Sequence, residues 1–127
     1  MSQTNAAIEK PRHLRWNEVQ GEHLNPSIFR RYVSGSNSTV ARFELKQGVQ
    51  IPRHEHHNEQ ICCVFAGALK FMMDDAEYLL RAGDLLVIPP NVPHAAEAVE
   101  DCLVFDFFSP ARADWETRQD QYLRASK

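Results

Sequence analysis

Short apolar segments alternate with turn-forming residues along most of the chain. From Ile28 onward, runs rich in β-branched and aromatic residues are separated at intervals of roughly eight to twelve residues by Gly, Pro, Asn or Asp. This spacing is typical of an all-β sandwich or barrel. It predicts nine strands, over residues 29–33, 39–45, 49–54, 60–66, 69–73, 77–80, 84–88, 94–98 and 103–108.

Both faces of the last predicted strand carry apolar side chains. Phe105 and Phe107 share one face, and Val104 and Phe108 share the other with Asp106, because successive side chains of a strand point to opposite sides. Such a strand lines the barrel with one face and packs on a second sheet or a second subunit with the other. We therefore expect a homodimer, since two-fold dimers are the commonest assemblies.

The two ends of the chain differ from this pattern. The polar first residues predict a flexible segment over residues 1–20, followed by a single domain over residues 21–127. Near the other end, residues 115–123 are predicted to form a short helix, with Asp114 as its cap. Glu116 would then lie in the first turn, where a negative charge suits the helix dipole.

Composition and charge exclude several classes of partner. The 127 residues have a net charge of −3, so the chain lacks the basic surface that neutralises nucleic-acid phosphates. Its longest apolar stretches, such as residues 85–90, are much shorter than the roughly 20 residues that cross a bilayer. Residues 1–12 lack the apolar core of a secretory signal. We expect a cytoplasmic protein that binds neither nucleic acid nor membranes.

A histidine cluster, with His54, His56 and His57, lies at the end of the third predicted strand. His54 and His56 point to the same face of an extended chain, and Gln60 has the same parity if the strand resumes in register. Burying these groups without partners costs on the order of 1 to 3 kcal/mol each, and a divalent metal would satisfy them, since imidazole is the commonest metal ligand. A solvated histidine-rich turn remains the alternative for this cluster alone. His57 has the opposite parity and is expected to face solvent.

A second block ends in one more histidine. Residues 83–94 consist of a strand and a proline-rigid turn that leads to His94. Together the two blocks resemble the two conserved motifs of the cupin superfamily. The first motif is matched by Gly48, His54, His56, Gln60 and Gly67, and the second by Gly83, Pro89 and His94, with Asn91 where glycine is usual. The resemblance implies a cupin double-stranded β-helix (a jelly-roll barrel), with His54, His56, Gln60 and His94 as ligands of one divalent transition metal.

Two positions depart from the cupin pattern. Asn91 is a mild departure, because asparagine tolerates the left-handed conformation nearly as well as glycine. Gln60 replaces the commoner glutamate and leaves a neutral ligand set, so a bound metal keeps its full charge and acts as a harder Lewis acid. Redox chemistry with oxygen is thereby less favoured. Imidazole and amide ligands suit Mn, Fe, Ni, Co or Zn without selecting among them.

The C-terminal block narrows the resemblance. Asp106, Phe108, Arg112 and Asp114 match the Asp-x-Phe-Ser/Thr-Pro-x-Arg-x-Asp pattern of the pectin-degradation cupins, which open the ring of 4,5-unsaturated uronates to give linear keto-uronates. The resemblance implies that Asp106 is the catalytic acid and base. It also implies that Arg112 acts in catalysis and pairs with the substrate carboxylate, and that Phe108 packs on the sugar ring.

Other interpretations remain open for these residues and for the function. Asp106 and Arg112 are also compatible with an ordinary ion pair, Phe108 with a plain core residue, and Arg112 with a dimer contact. The alternative functions are another metal-dependent cupin enzyme, such as a dioxygenase or a lyase, or a non-catalytic sugar-binding sensor. Each of these takes a small molecule as its partner.

Overall fold

Residues 10–125, which the computed structural model describes, form ten β-strands and three short helices. The strands are β1 (Gly21–Asn25), β2 (Ile28–Ser34), β3 (Thr39–Leu45), β4 (Gln50–His54), β5 (Glu59–Ala66), β6 (Ala68–Met72), β7 (Glu77–Arg81), β8 (Leu85–Ile88), β9 (His94–Ala98) and β10 (Cys102–Ser109). The helices are a 3-10 turn at Trp16–Glu18, α1 (Ala113–Glu116) and α2 (Gln121–Arg124).

The strands form two antiparallel sheets that enclose one core. The six-stranded sheet has the order β1-β2-β3-β10-β5-β8, and the four-stranded sheet has the order β4-β9-β6-β7. Alternate side chains of each strand point inward, as in β10, where Val104, Asp106 and Phe108 are buried and Phe107 is exposed. The all-β jelly-roll class predicted from the sequence is confirmed.

All nine predicted strands are present, and each predicted end lies within one residue of the observed one. Strand β1 is not among the predicted strands, and it lies at the edge of the six-stranded sheet beside β2. Leu24 is the one buried residue of β1. Because β1 buries so little apolar surface, its sequence does not show the alternation of apolar and polar residues that predicts a strand.

The single helix predicted over residues 115–123 is wrong in its extent. Two one-turn helices, α1 and α2, are separated by residues 117–120, where Arg118 has a φ of 58°. A residue with positive φ does not continue a right-handed helix. The cap assignment is also wrong, because Asp114 lies within α1 and its carboxylate forms an ion pair with Arg112.

Gly67 and Asn91 are positions of the sequence motifs with positive φ angles, which explains why glycine and asparagine occupy them. Gly67, between β5 and β6, has a φ of 88°, and a Cβ there would lie 2.0 Å from the Asp101 carbonyl oxygen. Asn91 has a φ of 64°, so the left-handed conformation expected for it is confirmed. Its backbone N–H donates to the His56 carbonyl at 2.8 Å. This bond holds the loop of His56 against the turn that leads to His94.

The 3-10 turn fastens the start of the described chain to the six-stranded sheet. Arg31 of β2 donates to the carbonyl oxygens of Trp16, at 3.2 Å, and Val19, at 2.6 Å. Residues 1–9 lie outside the described part, and the domain bounds at residues 1–20 and 21–127 stay predictions. Within residues 10–125, no helix has the length and apolar character needed to span a membrane.

Candidate metal centre

Three histidines meet where β4 and β9 pair. His54 and His94 are direct neighbours across these two strands, with ring centroids 4.3 Å apart. His56 lies in the loop after β4, with its centroid 5.6 Å from that of His54 and 5.1 Å from that of His94. One ring nitrogen from each histidine lies within 4.8 Å of the others. His57 is exposed, as expected.

Backbone carbonyls fix the tautomer of all three rings. Each Nδ1 lies within hydrogen-bond distance of a carbonyl oxygen two residues away, from His54 to Pro52 at 2.8 Å, from His56 to Asn58 at 3.0 Å and from His94 to Val92 at 2.8 Å. Since a carbonyl oxygen only accepts, each Nδ1 carries the proton and each Nε2 keeps its lone pair. Nε2 of His94 is buried and has no hydrogen-bond partner among the described residues. This orphaned lone pair fits a bound cation.

Gln60 adds an oxygen to the same cluster. Its amide is buried, and its Nε2 donates to Asp106 Oδ1 at 3.1 Å. This bond fixes the amide orientation, so Oε1 lies 3.2 Å from His56 Nε2. Both of these atoms accept hydrogen bonds, and a cation near both would relieve their repulsion. The three imidazoles and the amide oxygen together form a neutral donor set that suits a divalent transition metal.

Burial keeps the imidazoles in the form that binds metals. It lowers the pKa of His54 to about 3 and that of His56 to about 4, and it also lowers the pKa of His94. All three rings are therefore neutral at pH 7, as a metal ligand must be. Burial acts in the opposite direction on Asp106, where it raises the pKa of the carboxyl to about 6.

Asp106 and Phe108 lie on the inner face of β10, beside the ligands. Asp106 faces Cys62 across the β10–β5 pairing and also accepts a hydrogen bond from its thiol. The Phe108 ring has its centroid 5.8 Å from that of His56. Phe108 is a core residue that also lines the cavity, and its contact with a sugar ring stays a prediction.

Arg112 follows β10 and is only 1% exposed. Its guanidinium lies 4.7 Å from the Phe108 ring centroid and 4.5 Å from that of Trp115. Nε and Nη2 both donate to Asp114, at 2.9 and 2.8 Å. The ion pair therefore joins Arg112 to Asp114 rather than to Asp106. Such deep burial also leaves Arg112 no surface for a dimer contact.

Tyr122 is a component of this site that the sequence analysis missed. Its ring stacks on His54 with centroids 4.2 Å apart and an interplanar angle of 28°. Its hydroxyl accepts a hydrogen bond from Arg112 Nη2 at 2.8 Å. Tyr122 belongs to α2, and a lone tyrosine in a polar tail carries no motif that would have singled it out.

A narrow cavity of about 40 Å³ connects these groups inside the barrel. Its polar lining comes from His54, His94, Gln60, Asp106 and Arg112. The remaining lining is apolar or aromatic, and it consists of Phe43, Leu45, Ile51, Leu69, Phe71, Ala96, Val104, Phe108, Trp115, Tyr122 and Leu123. Convergent polar groups in an apolar cavity are the usual form of a small-molecule site.

Comparisons with known proteins give consistent results. The family described as Cupin domain matches residues 41–108. An uncharacterized protein of Methanocaldococcus jannaschii is 25% identical over 91 residues, 71% of this chain and 70% of that protein. KdgF from Halomonas sp. is similar in structure, with a TM-score of 0.73 and 29% identity, over 78% of this chain and 94% of KdgF. An RmlC-like cupin from Shewanella frigidimarina has a TM-score of 0.77 and 23% identity, over 84% of this chain and 96% of that one.

Proposed function

The chain belongs to the cupin domain family, and from that premise we propose that it is a metal-dependent enzyme that converts 4,5-unsaturated uronates to linear keto-uronates. The similarity to KdgF supports the resemblance to the uronate ring-opening cupins that the C-terminal sequence block carries. One observation carries the proposal. Gln60 donates to Asp106 at 3.1 Å, which holds a titratable carboxyl beside the candidate metal ligands.

In this proposal His54, His56, Gln60 and His94 would hold one divalent ion, which would supply Lewis acidity toward a sugar oxygen. The ion is Mn, Fe, Ni, Co or Zn, since the donor set suits each of them. The histidines are neutral and the amide is uncharged, so these side chains leave the charge of the ion undiminished.

Asp106 is the group that moves protons in this proposal. Ring opening breaks the bond between the hemiacetal carbon and the ring oxygen, with loss of a proton from the hemiacetal hydroxyl. The resulting enolate becomes a ketone when a proton reaches C4, so no atom is gained or lost overall. A single carboxyl that accepts the first proton and delivers one to C4 suffices for both steps. The hydrogen bond from Gln60 orients that carboxyl.

Arg112 and Phe108 bind the substrate in this proposal. The guanidinium is the buried positive charge of the cavity lining, and it suits the uronate carboxylate because charge-assisted hydrogen bonds are the stronger kind. The Phe108 ring is near both the guanidinium and the His56 ring. Phe108 offers an apolar surface to a sugar ring that lies near the Arg112 guanidinium and His56.

Metal analysis and one optical assay test the proposal. The protein as purified is examined for bound metal, and loss of the enol ether absorbance of 4,5-unsaturated uronates is then followed. We expect the metal-loaded protein to accelerate this loss, and Asp106→Asn to slow it by about 100-fold or more while retaining the metal. Asp75→Asn, at an exposed turn, is the matched control.

Three outcomes of this assay count against the proposal. An absorbance that falls no faster than the spontaneous rate removes the uronate assignment. Stoichiometric oxygen uptake during turnover favours a dioxygenase. Unchanged sugar-acid affinity in Asp106→Ala, together with no turnover of any uronate, favours a sugar-binding module.

We also propose that the protein is a homodimer, as the sequence predicts, and that it is cytoplasmic. An apolar patch on the outer face of β5, β8 and β10 supports the dimer, since large exposed apolar patches mark interfaces. Phe65 is 68% exposed and Leu85 is 66% exposed, and Val87 and Phe107 are exposed beside them. We expect light scattering to give the dimer mass for the wild type and the monomer mass for Phe65→Glu. A wild-type monomer would contradict the dimer.

A further inference from the structure

The cavity is too small for the substrate class proposed above. Its volume is about 40 Å³, which is room for a few water molecules. Cavities that bind small molecules measure roughly 300 to 1,000 Å³. A sugar acid therefore enters only if part of the lining moves aside.

Most of the lining belongs to paired strands, which cannot move alone. The exceptions follow β10, and among them Tyr122 and Leu123 lie on α2. Tyr122 covers His54 on one side and reaches Arg112 on the other. The part of the lining that covers a candidate metal ligand thus lies outside the paired strands.

Partly buried contacts at its end and a buried ion pair at its start hold α2 in this position. The Leu123 carbonyl accepts from Asn25 at 3.3 Å, and Arg124 pairs with the half-exposed Glu22 at 3.0 Å. At the start of α2, Asp120 is 0% exposed and pairs with the buried Arg30 at 3.0 Å. The contacts of Arg124 and Asn25 are near the surface, whereas that of Asp120 is buried. Asp120 is therefore a fixed point about which α2 can turn.

The geometry points to α2 as a lid over the site, with Tyr122 as its latch. In the closed state the Tyr122 hydroxyl occupies the place on Arg112 that a substrate carboxylate takes. The carboxylate displaces it because a negatively charged acceptor interacts with the guanidinium more strongly than the uncharged tyrosine oxygen does. The lid then turns outward about residues 118–120, where Arg118 already has a φ of 58°. The identity of the ligand rests on the proposed function, but the lid itself does not.

The first test requires no uronate. Co²⁺-loaded protein is mixed with the chelator dipicolinate, and loss of the cobalt absorbance gives the rate of metal removal. Tyr122→Ala should raise this rate several-fold and raise hydrogen exchange in peptides that cover residues 119–125. Tyr78→Ala, at an exposed tyrosine of β7, is the matched control and should change neither quantity. If Tyr122→Ala retains the wild-type circular dichroism and both quantities stay at wild-type values, the lid is refuted.

The second test uses Tyr122→Phe, which keeps the ring on His54 and removes the hydroxyl, so the fold is retained. Binding of D-galacturonate to the metal-loaded protein is measured by calorimetry. The variant should bind about three- to tenfold more tightly, the factor that one net hydrogen bond is worth. Galacturonate should also increase hydrogen exchange at residues 119–125 in the wild type. Equal affinity with unchanged exchange overturns the latch.

The two tests separate failure of the lid from failure of the proposed function. Faster metal removal in Tyr122→Ala without turnover of unsaturated uronates supports the lid and removes the uronate assignment. Turnover in the wild type with no effect of Tyr122→Ala on metal removal or exchange removes the lid and leaves the uronate assignment intact.

Discussion

Replacing Asp120 by asparagine tests how far a buried ion pair stabilises the C-terminal segment. The Asp120 carboxylate lies 3.0 Å from Arg30 Nη1 and 2.9 Å from Arg124 Nε. Arg30 is also buried, with its guanidinium 5.0 Å from the Tyr32 ring centroid and 4.4 Å from that of Trp115. Asparagine keeps the shape of the side chain and removes its charge, so it leaves a buried cation without its main partner.

We expect Asp120→Asn to lower the free energy of unfolding strongly, although it changes little more than the charge of the side chain. Breaking a buried pair on one side costs about 3 to 5 kcal/mol. Glu22 lies 3.6 Å from Arg30 and supplies part of the missing charge, so we expect a value at the lower end, about 3 kcal/mol. With an m value of about 1.5 kcal/mol per M of urea, the unfolding midpoint should fall by about 2 M.

Urea unfolding of the metal-free protein, followed by circular dichroism, measures this shift. Asp74→Asn is the matched control, because it removes the same kind of ion pair, to Arg53 at 2.9 Å, from an exposed site. Water screens exposed pairs, so the control should leave the midpoint unchanged. Equal shifts for the two variants would mean that burial does not set the cost.

The pH dependence provides a second check on the same pair. Burial acts to raise the pKa of Asp120, but the hydrogen bond from Arg124 and the charge of Arg30 outweigh it, and the net pKa lies below its usual value. A carboxyl with a lowered pKa stabilises the fold above its unfolded pKa of about 4 and loses that effect as the pH falls through the folded value. The gap between wild type and Asp120→Asn should therefore be full at pH 7 and shrink below pH 4. A gap that is the same at pH 7 and pH 3 would refute the reasoning.

Substitutions at Gly67, Asn91 and His94 test separate parts of the molecule. Gly67→Ala should lower the free energy of unfolding by about 3 kcal/mol, because the new Cβ collides with the Asp101 carbonyl at positive φ; an unchanged urea midpoint would contradict this. Asn91→Ala should cost about 1 kcal/mol and Asn91→Gly should cost nothing, since only alanine resists the left-handed conformation; equal midpoints would argue against that conformation. His94→Ala should abolish Co²⁺ binding in calorimetry and the metal-induced rise in melting temperature, whereas the exposed His57→Ala should retain both; metal binding by His94→Ala would remove that histidine from the ligand set.

The strands could be predicted from the sequence because each one has its own alternating pattern and its own turn residues. Those properties are local, so the predicted ends lie within one residue of the observed ends. The missed strand, β1, buries Leu24 alone, and it is a strand because β2 offers it an edge. The five residues of β1 carry no information about the strand with which they pair, so this strand could not be predicted from them.

In the candidate site, too, the locally determined features could be predicted and those set by distant residues could not. The histidines converge because two short motifs each fix a turn, and the left-handed conformation at Asn91 is one such turn. The contacts of Arg112 were not predictable in this way. Its ion pair joins it to Asp114 within one helical turn, and it also donates to Tyr122, which lies beyond a break in the helix. The helix is interrupted at Arg118, which has a left-handed backbone conformation, and the spacing of apolar residues does not predict such an interruption.

His54 takes part in two sets of contacts, since one of its ring nitrogens belongs to the candidate metal centre and its ring face stacks on Tyr122. Gln60 lies on β5 of the six-stranded sheet, whereas His54 and His94 lie on β4 and β9 of the four-stranded sheet. An ion held by this set therefore links the two sheets and fixes the ring on which α2 rests. Linkage is reciprocal: if a bound ion favours the closed position of α2, a closed α2 favours the ion by the same factor. Under the lid proposal, a substrate that opens α2 would therefore weaken binding of the ion by that same factor.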